Sequence, residues 1–217
     1  MRSDTLLFIP SYNDNVYFYK LIPIVRKYFK GEILCIDDGS DNKIQNKFYD
    51  TKINIIYNNE NYGKGYSIIK ASKYALANNY KYLLVMDSDF QHDPSKIIEF
   101  IKRRTQNDIV YGKRNFLKKM PFFRMLSNSI TSFLISMKCK KIIYDTQCGY
   151  RLYNLSLFAL NKFNYTGYQF ESEILLKCIN KKSSISYVDV PTIYNGSTSN
   201  VKPISDTMKF IRLILLN

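Results

Sequence analysis

The run Tyr82-Leu83-Leu84-Val85-Met86-Asp87-Ser88-Asp89-Phe90-Gln91-His92-Asp93-Pro94 decides how this 217-residue chain folds. Its first four residues are apolar and read as a buried strand. Asp93 and Pro94 read as a helix start, a capping carboxylate followed by proline in the first turn. Asp87 and Asp89 therefore fall at the C-terminal end of a strand. Residues i and i+2 of an extended chain point the same way, so the two carboxylates converge. Such a pair of hard oxygen donors suits Mg2+ or Mn2+ holding a diphosphate. That chemistry suggests an enzyme that uses a nucleotide-activated substrate.

On both sides of this run, strands and helices alternate. Residues 5–10, 32–36, 53–57 and 108–111 read as further strands. Helices are expected at 16–28, 66–78 and 96–105. This rhythm predicts an α/β fold, a mostly parallel, doubly wound central sheet flanked by helices. Ligands of such sheets bind outside the carboxyl ends of the strands. The polar clusters sit there: Asp37 and Asp38, Asn61, Asp87 and Asp89. Farther on, Leu126, Ile130, Phe133, Leu134 and Met137 have helical spacing within 124–138. A helix is expected at 171–179, a strand at 186–190 and an amphipathic helix at 203–217. Without an internal repeat or low-complexity linker, one domain over 1–217 is the simplest organisation. Its donor-binding part would span about 1–112 and its acceptor-binding part about 113–200.

The chain can build a core: hydrophobic residues make up 46% and mean hydropathy is −0.26. The net charge of +14 favours an anionic partner without choosing among nucleic acid, a phospholipid surface and a phosphorylated substrate. Compositional bias toward Lys, Asn, Ile and Tyr is an alternative source of that charge. Cys35, Cys139, Cys148 and Cys178 are scattered without a Cys-x-x-Cys pair, which fits a reduced cytoplasmic compartment and argues against zinc. No signal-peptide pattern opens the sequence, and no window approaches the roughly 20 apolar residues of a membrane span.

Each smaller motif has a plain structural reading beside the chemical one. Asp37-Asp38-Gly39-Ser40 suits a tight turn, and equally two carboxylates that accept hydrogen bonds from a base or ribose. Asn61-Tyr62-Gly63-Lys64-Gly65 allows close backbone approach and places a cation at a helix N-terminus, as phosphate binding needs. It lacks P-loop spacing, so an ordinary loop remains open. His92, the only histidine, precedes the capping Asp93 and is expected to face solvent rather than catalyse. No nucleophile motif accompanies it. Lys113, Arg114, Lys118, Lys119 and Arg124 surround Pro121-Phe122-Phe123. That segment reads either as a solvated face or as phosphate capture beside a membrane interface.

Taken together, these motifs resemble glycosyltransferase family 2, and within it the polyprenyl- (dolichyl-) phosphate mannose and glucose synthases. The marks are IPSYND at 9–14, DDGS at 37–40, NYGKG at 61–65 and MDSDFQHDP at 86–94. They continue with GKR at 112–114, DTQCGYRLY at 145–153, FESEILLK at 170–177 and VPTIY at 190–194. The resemblance implies a GT-A fold, a nucleotide-sugar donor and inversion at the anomeric carbon. By similarity, Pro10, Tyr12, Asp14 and Asp38 would hold the nucleoside; Asp37, Asn61, Lys64 and Ser88 would join the donor site. The family often has Glu at the position of Asp14. Asp87, Asp89 and Gln91 would ligate Mg2+ or Mn2+. Arg114 and Arg124 match positions that bind an acceptor phosphate, while Asp145, Gln147 and Arg151 would line the sugar and acceptor side. The QxxRW motif of processive synthases is absent, which argues for a single transfer.

The implied acceptor is a polyprenyl phosphate at the cytoplasmic membrane face, reached by peripheral attachment. A phosphate monoester has a second pKa of about 6 and needs positioning by arginines more than a base. If the acceptor is instead a hydroxyl of a cell-surface glycan, a carboxylate must take its proton. Asp145 is the first candidate and Glu171 or Glu173 the second, although both glutamates also suit a helix start. A non-catalytic basic binding module is a further alternative. Nucleic acid is not expected as a partner, because the carboxylates cluster where it would bind and no recognition motif is present.

Overall fold

The structure is a computed structural model that describes residues 3–48, 50–114, 122–167, 169–180 and 182–193, without the side chains of 122–124 and 127. The expected helix at 203–217 and the segment with Lys118, Lys119 and Pro121 lie outside the described residues, as do the side chains of Phe122, Phe123 and Arg124.

Seven strands make one sheet: β1 (Thr5–Ser11), β2 (Ile33–Asp37), β3 (Ile53–Tyr57), β4 (Tyr82–Val85), β5 (Ile109–Arg114), β6 (Arg151–Asn154) and β7 (Ile185–Val190). Their spatial order is β3-β2-β1-β4-β6-β5-β7. Every pair is parallel except those of β6, which runs antiparallel to both β4 and β5. The helices are α1 (Asn15–Tyr28), α2 (Lys64–Ala77), α3 (Ile97–Arg103), α4 (Phe122–Cys139), α5 (Ser156–Leu160) and α6 (Phe170–Cys178). The expected helix at 96–105 is shorter and more divided: α3 lies between two 3-10 turns, Pro94–Lys96 and Arg104–Gln106. Its cap is the expected one, with the Asp93 side chain accepting from Ser95 N–H at 2.9 Å.

Alternation along the strands sorts the core into two layers. Leu6 and Phe8 of β1, Leu34 and Ile36 of β2, and Leu83 and Val85 of β4 pack with residues of α2 and α6. Their neighbours Leu7, Ile9, Ile33, Cys35, Tyr82 and Leu84 pack on the other face with Phe18, Leu21, Ile22 and Val25 of α1 and Ile97 and Phe100 of α3. Spacing of i, i+3, i+4 and i+7 gives α1 its apolar stripe. β6 was not among the sequence-derived strands. It is four residues long and inserts between β4 and β5 against the βαβ rhythm. That reversal brings its N-terminal end, where Arg151 pairs with Val85 and Tyr111, to the edge that receives the C-terminal ends of β1, β2, β4 and β5.

Candidate active site

The strand order turns at β1 and β4: β2 and β3 lie on one side of β1, and β4 lies on the other. A crevice opens at the carboxyl ends of strands at such a switch point. The residues after β1, Tyr12 to Asp14, face those after β4, Asp87 to Asp89. Ser88 Oγ donates to Asp14 Oδ2 at 3.2 Å and ties the two together. Phe90 follows with φ +62°, a left-handed conformation uncommon for an aromatic residue, and its ring meets Tyr17 of α1 edge-on. The backbone thus turns sharply at Phe90, next to Asp89.

Strand parity explains the partners of Asp87. It shares the side of Leu83 and Val85, toward α2 and α6, and its Oδ1 lies 2.7 Å from Lys64 Nζ at the start of α2. Lys64 also reaches Glu171 Oε1 in the first turn of α6, at 3.0 Å. Burial alone would lower the Lys64 pKa, but the two carboxylates outweigh it and hold the ammonium charged. Burial likewise raises Asp87, and Lys64, His92 and Arg151 together more than reverse this, so its carboxyl sits below its ordinary value. Asp89 is relieved less: burial and the charge of Asp87 push it up to about 6, against the Gln91 N–H bond and the charge of Lys64. Asp14 is raised by burial, against its bond from Ser88.

His92 is buried, so the expectation that it faces solvent is corrected. Its ring stacks on Tyr150 with centroids 4.8 Å apart, and its Nδ1 accepts Asp87 N–H at 3.0 Å. Burial pushes it down to about 4, which keeps it neutral. It holds the backbone of the acidic turn.

The two carboxylates suit a divalent ion chemically. Asp89 is a half-buried acid whose second negative charge beside Asp87 is unfavourable, and a cation there would offset it. Among the described residues, no group of three or more His, Cys, Asp or Glu is arranged to hold a metal. One or two carboxylates with substrate phosphates are nevertheless a usual Mg2+ donor set. The Gln91 N–H donates to Asp89 Oδ1 at 3.0 Å, so this residue also shapes the turn.

Two loops flank the crevice. Asp37 spends both oxygens on backbone: Oδ1 accepts from Ser40 N–H at 2.9 Å and Oδ2 from Ile44 N–H at 2.8 Å. Its side chain holds the loop after β2 and offers neither oxygen to a ligand in this arrangement. Asp38 accepts from Asn58 Nδ2 at 2.6 Å and from the N–H groups of Tyr62 and Gly63 at 3.2 and 2.8 Å. It pins the glycine loop to β2. Gly39 has φ +77°, and a Cβ there would come within 2.7 Å of Glu60 Cα, so the two loops touch backbone to backbone. Pro10 is half-buried within β1, whereas Tyr12 and Asn61 are exposed.

On the other side, Asp145 is fully buried. Its Oδ2 accepts from Arg114 Nε at 2.8 Å; its Oδ1 accepts from Arg114 Nη2 and Asn128 Nδ2, both at 2.9 Å, and from Gln147 N–H at 3.3 Å. A carboxylate so engaged orients a guanidinium and has no oxygen turned toward a proton to be removed. Glu173 corrects the second base candidate, since its oxygens accept from Asn164 and Tyr165 N–H and pair with Lys177. Glu171 is divided between Lys64 and, at 3.6 Å, Arg151. Arg151 stands behind the site rather than in its wall. It is fully buried, donates to the carbonyls of Cys148, Thr146 and Glu171, and lies over the Tyr111 ring at 5.0 Å. It holds the 145–149 loop from which the Gln147 side chain emerges exposed.

Two contributors escaped sequence reasoning. Asn128 is a buried amide on the same face of α4 as Ile135; a polar residue on the inner stripe was the available signal. Gly149 lies against the ion cluster, where an added Cβ would overlap Lys64 Nζ and come within 2.9 Å of Asp87 Oδ2. Nothing in its sequence neighbourhood marks that contact.

Comparisons with known proteins bear on the family and the fold. The model of the family described as "Glycosyl transferase family 2" matches residues 7–160. An uncharacterized protein of Methanocaldococcus jannaschii is 32% identical over 227 residues, covering 94% of this chain and 98% of that one. The UDP-N-acetylglucosamine–dolichyl-phosphate N-acetylglucosaminyltransferase of Methanococcus voltae is 25% identical, covering 87% of this chain and 85% of its own. Among solved structures, glucosyl-3-phosphoglycerate synthase of Mycobacterium tuberculosis, in complex with Mn2+, UDP and glucosyl-3-phosphoglycerate, superposes with a TM-score of 0.69 at 14% identity. The match covers 99% of this chain and 77% of that one. The shared fold is GT-A.

Proposed function

This chain belongs to glycosyl transferase family 2 and is a glycosyltransferase, and from that premise we propose that it moves one sugar, with inversion, from a nucleoside diphosphate sugar to a polyprenyl phosphate. Asp87 and Asp89 would hold Mg2+ or Mn2+, which stabilises the charge that develops on a departing diphosphate. Asp38 fixes the glycine loop against β2, while Tyr12, Asp14, Asn61 and Ser88 border the donor crevice. Lys64 keeps Asp87 ionised and its side chain fixed.

In the reaction, an acceptor phosphate oxygen forms a bond to the anomeric carbon from the face opposite the nucleotide. The bond from that carbon to the diphosphate breaks, and the diphosphate leaves with the electron pair. The bidentate pair between Arg114 and Asp145 carries the choice of a phosphate acceptor. Asp145 gives its oxygens to Arg114, Asn128 and the loop, so this site offers an oriented cation rather than a base. A phosphate monoester, largely dianionic above its second pKa of about 6, needs that cation and no base. The Methanococcus voltae relative, named for transfer to dolichyl phosphate, supports the same reading. The reaction would take place at the cytoplasmic membrane face with peripheral attachment; no described helix is long and apolar enough to cross a membrane.

The test is transfer of labelled sugar from UDP- and GDP-sugars, with Mn2+, to polyprenyl phosphate. Product that partitions into organic solvent and is lost in Arg114→Ala supports the reading. Transfer only to glycan hydroxyls, with Arg114→Ala nearly unaffected, rejects it.

A further inference from the structure

From Leu126 to Met137, α4 turns an apolar stripe outward. Leu126, Ile130, Phe133 and Met137 follow at spacings of four, three and four, and each is between 46 and 64% exposed. Ile142 and Tyr144 extend the stripe into the next loop at 67 and 48%. The opposite face is fully committed: Asn128 bonds Asp145, Ser132 meets Thr146, and Ile135 and Cys139 are in the core. A contiguous exposed patch of large apolar side chains marks an interaction surface rather than ordinary solvent exposure.

We propose that this face of α4 lies in the interface of a bilayer containing anionic lipid, an inference that rests on the polyprenyl phosphate reading above. Three observations choose a lipid surface over another occupant. First, charge complements it: Lys138 and Lys140 are exposed at the end of the stripe, Lys113 Nζ lies 4.6 Å from the centre of the Tyr144 ring, and the chain carries +14 overall. An apolar helix face flanked by cations lies in a headgroup boundary, and tyrosine belongs to that layer. Second, the same helix is joined to the acceptor side. Asn128 on its inner face holds Asp145, which holds Arg114. A prenyl tail stays in the bilayer while its phosphate is at Arg114, so the surface beside that arginine must abut the membrane. Third, α4 interrupts its apolar residues with Asn128, with serines at 127, 129, 132 and 136 and with Lys138, and no described helix is long and apolar enough to cross a membrane. It suits lying on a bilayer, not crossing one.

The test uses the full chain and flotation with phosphatidylcholine vesicles, with and without phosphatidylglycerol. Wild type is expected to float with the anionic vesicles and to be released by salt. Phe133→Ser with Met137→Ser should weaken partitioning by roughly tenfold or more, with the melting temperature unchanged because both side chains point outward. Lys138→Glu with Lys140→Glu should act in the same direction. Sugar transfer to a short, water-soluble prenyl phosphate should be the same in all three proteins. Equal flotation of wild type and the apolar double variant overturns the proposal, as does failure of wild type to float. A dimer in solution that the double variant dissociates also overturns it, since a second copy would then cover the face. Flotation lost in the variants together with no transfer to any prenyl phosphate leaves the surface standing and rejects the acceptor.

Discussion

Arg114 and Asp145 are joined by two parallel hydrogen bonds, Nε to Oδ2 at 2.8 Å and Nη2 to Oδ1 at 2.9 Å. The carboxylate is fully buried and the guanidinium only partly so. Asp145 is therefore a positioning residue for the cation. Asp145→Asn keeps the shape and removes the charge, at a cost of about 1.5–3 kcal/mol for charge-assisted bonds. The acceptor KM should rise with the donor KM unchanged. A catalytic base would behave differently: kcat would fall by roughly 10²–10⁴ at constant acceptor KM. Initial rates at varied acceptor, with a urea melt alongside, separate the two.

Asp89 and Asp87 compete for one site of negative charge, and the cost falls on Asp89. Asp89→Asn should thus be tolerated by the fold while removing the oxygen donor that suits a divalent ion. Mn2+ titration followed by electron paramagnetic resonance should show one site in wild type and at least a tenfold weaker one in the variant, by analogy with other metal-site losses. Sugar transfer should be abolished. Full activity in Asp89→Asn rejects the metal assignment.

Two glycines separate an effect on charge from an effect on backbone. At Gly149 the overlapping neighbour is Lys64 Nζ, the far end of a flexible side chain. Gly149→Ala should fold, with a loss of about 1–3 kcal/mol, while Lys64 is pushed off Asp87. At Gly39 the backbone has φ +77° and the neighbour is the Glu60 backbone, which cannot swing aside. Gly39→Ala should cost more and open the contact between the two donor loops. Melting curves rank the pair, and retained donor affinity in Gly149→Ala would argue against a role for the Lys64–Asp87 contact.

The acidic turn and the parallel half of the sheet were legible because both rest on local signals: apolar runs of four or five residues, then Asp, Gly and Asn at the strand ends. The engagement of particular oxygens was not legible. Asp37 and Asp38 are neighbours of identical chemistry, yet one holds only its own loop and the other clamps the loop of Gly63, because alternation sends them to opposite sides of β2. Arg151 read as a site arginine, since sequence does not reveal that β6 reverses between β4 and β5 and buries it over Tyr111. His92 read as solvent-facing because its partner, Tyr150, is 58 residues away in that same reversed segment. Long-range pairing decides each case, and periodicity reports only on near neighbours.

Four thiols lie in the folded chain with their protons held on by burial. Cys35 and Cys148 are raised strongly, the latter to about 12; Cys139 and Cys178 are raised to about 11 and 12. Below the ordinary thiol pKa both folded and unfolded chains keep these protons, so stability does not depend on them. Above it the unfolded chain releases protons that the folded chain retains, and stability falls as pH rises. Each fully buried thiol contributes a slope of about 1.4 kcal/mol per pH unit, beginning near pH 9 and ending at its folded value. Urea midpoints should therefore drop between pH 9 and pH 10.5, and alkylation of native protein at pH 8 should be slow at all four cysteines. Cys148→Ala should show a shallower drop than wild type across that window, whatever its stability at pH 7. A wild-type midpoint that stays level from pH 8.5 to 10.5 would mean the thiols ionise as readily in the fold as outside it, and the burial of Cys148 between Gly112 and Arg151 would have to be abandoned.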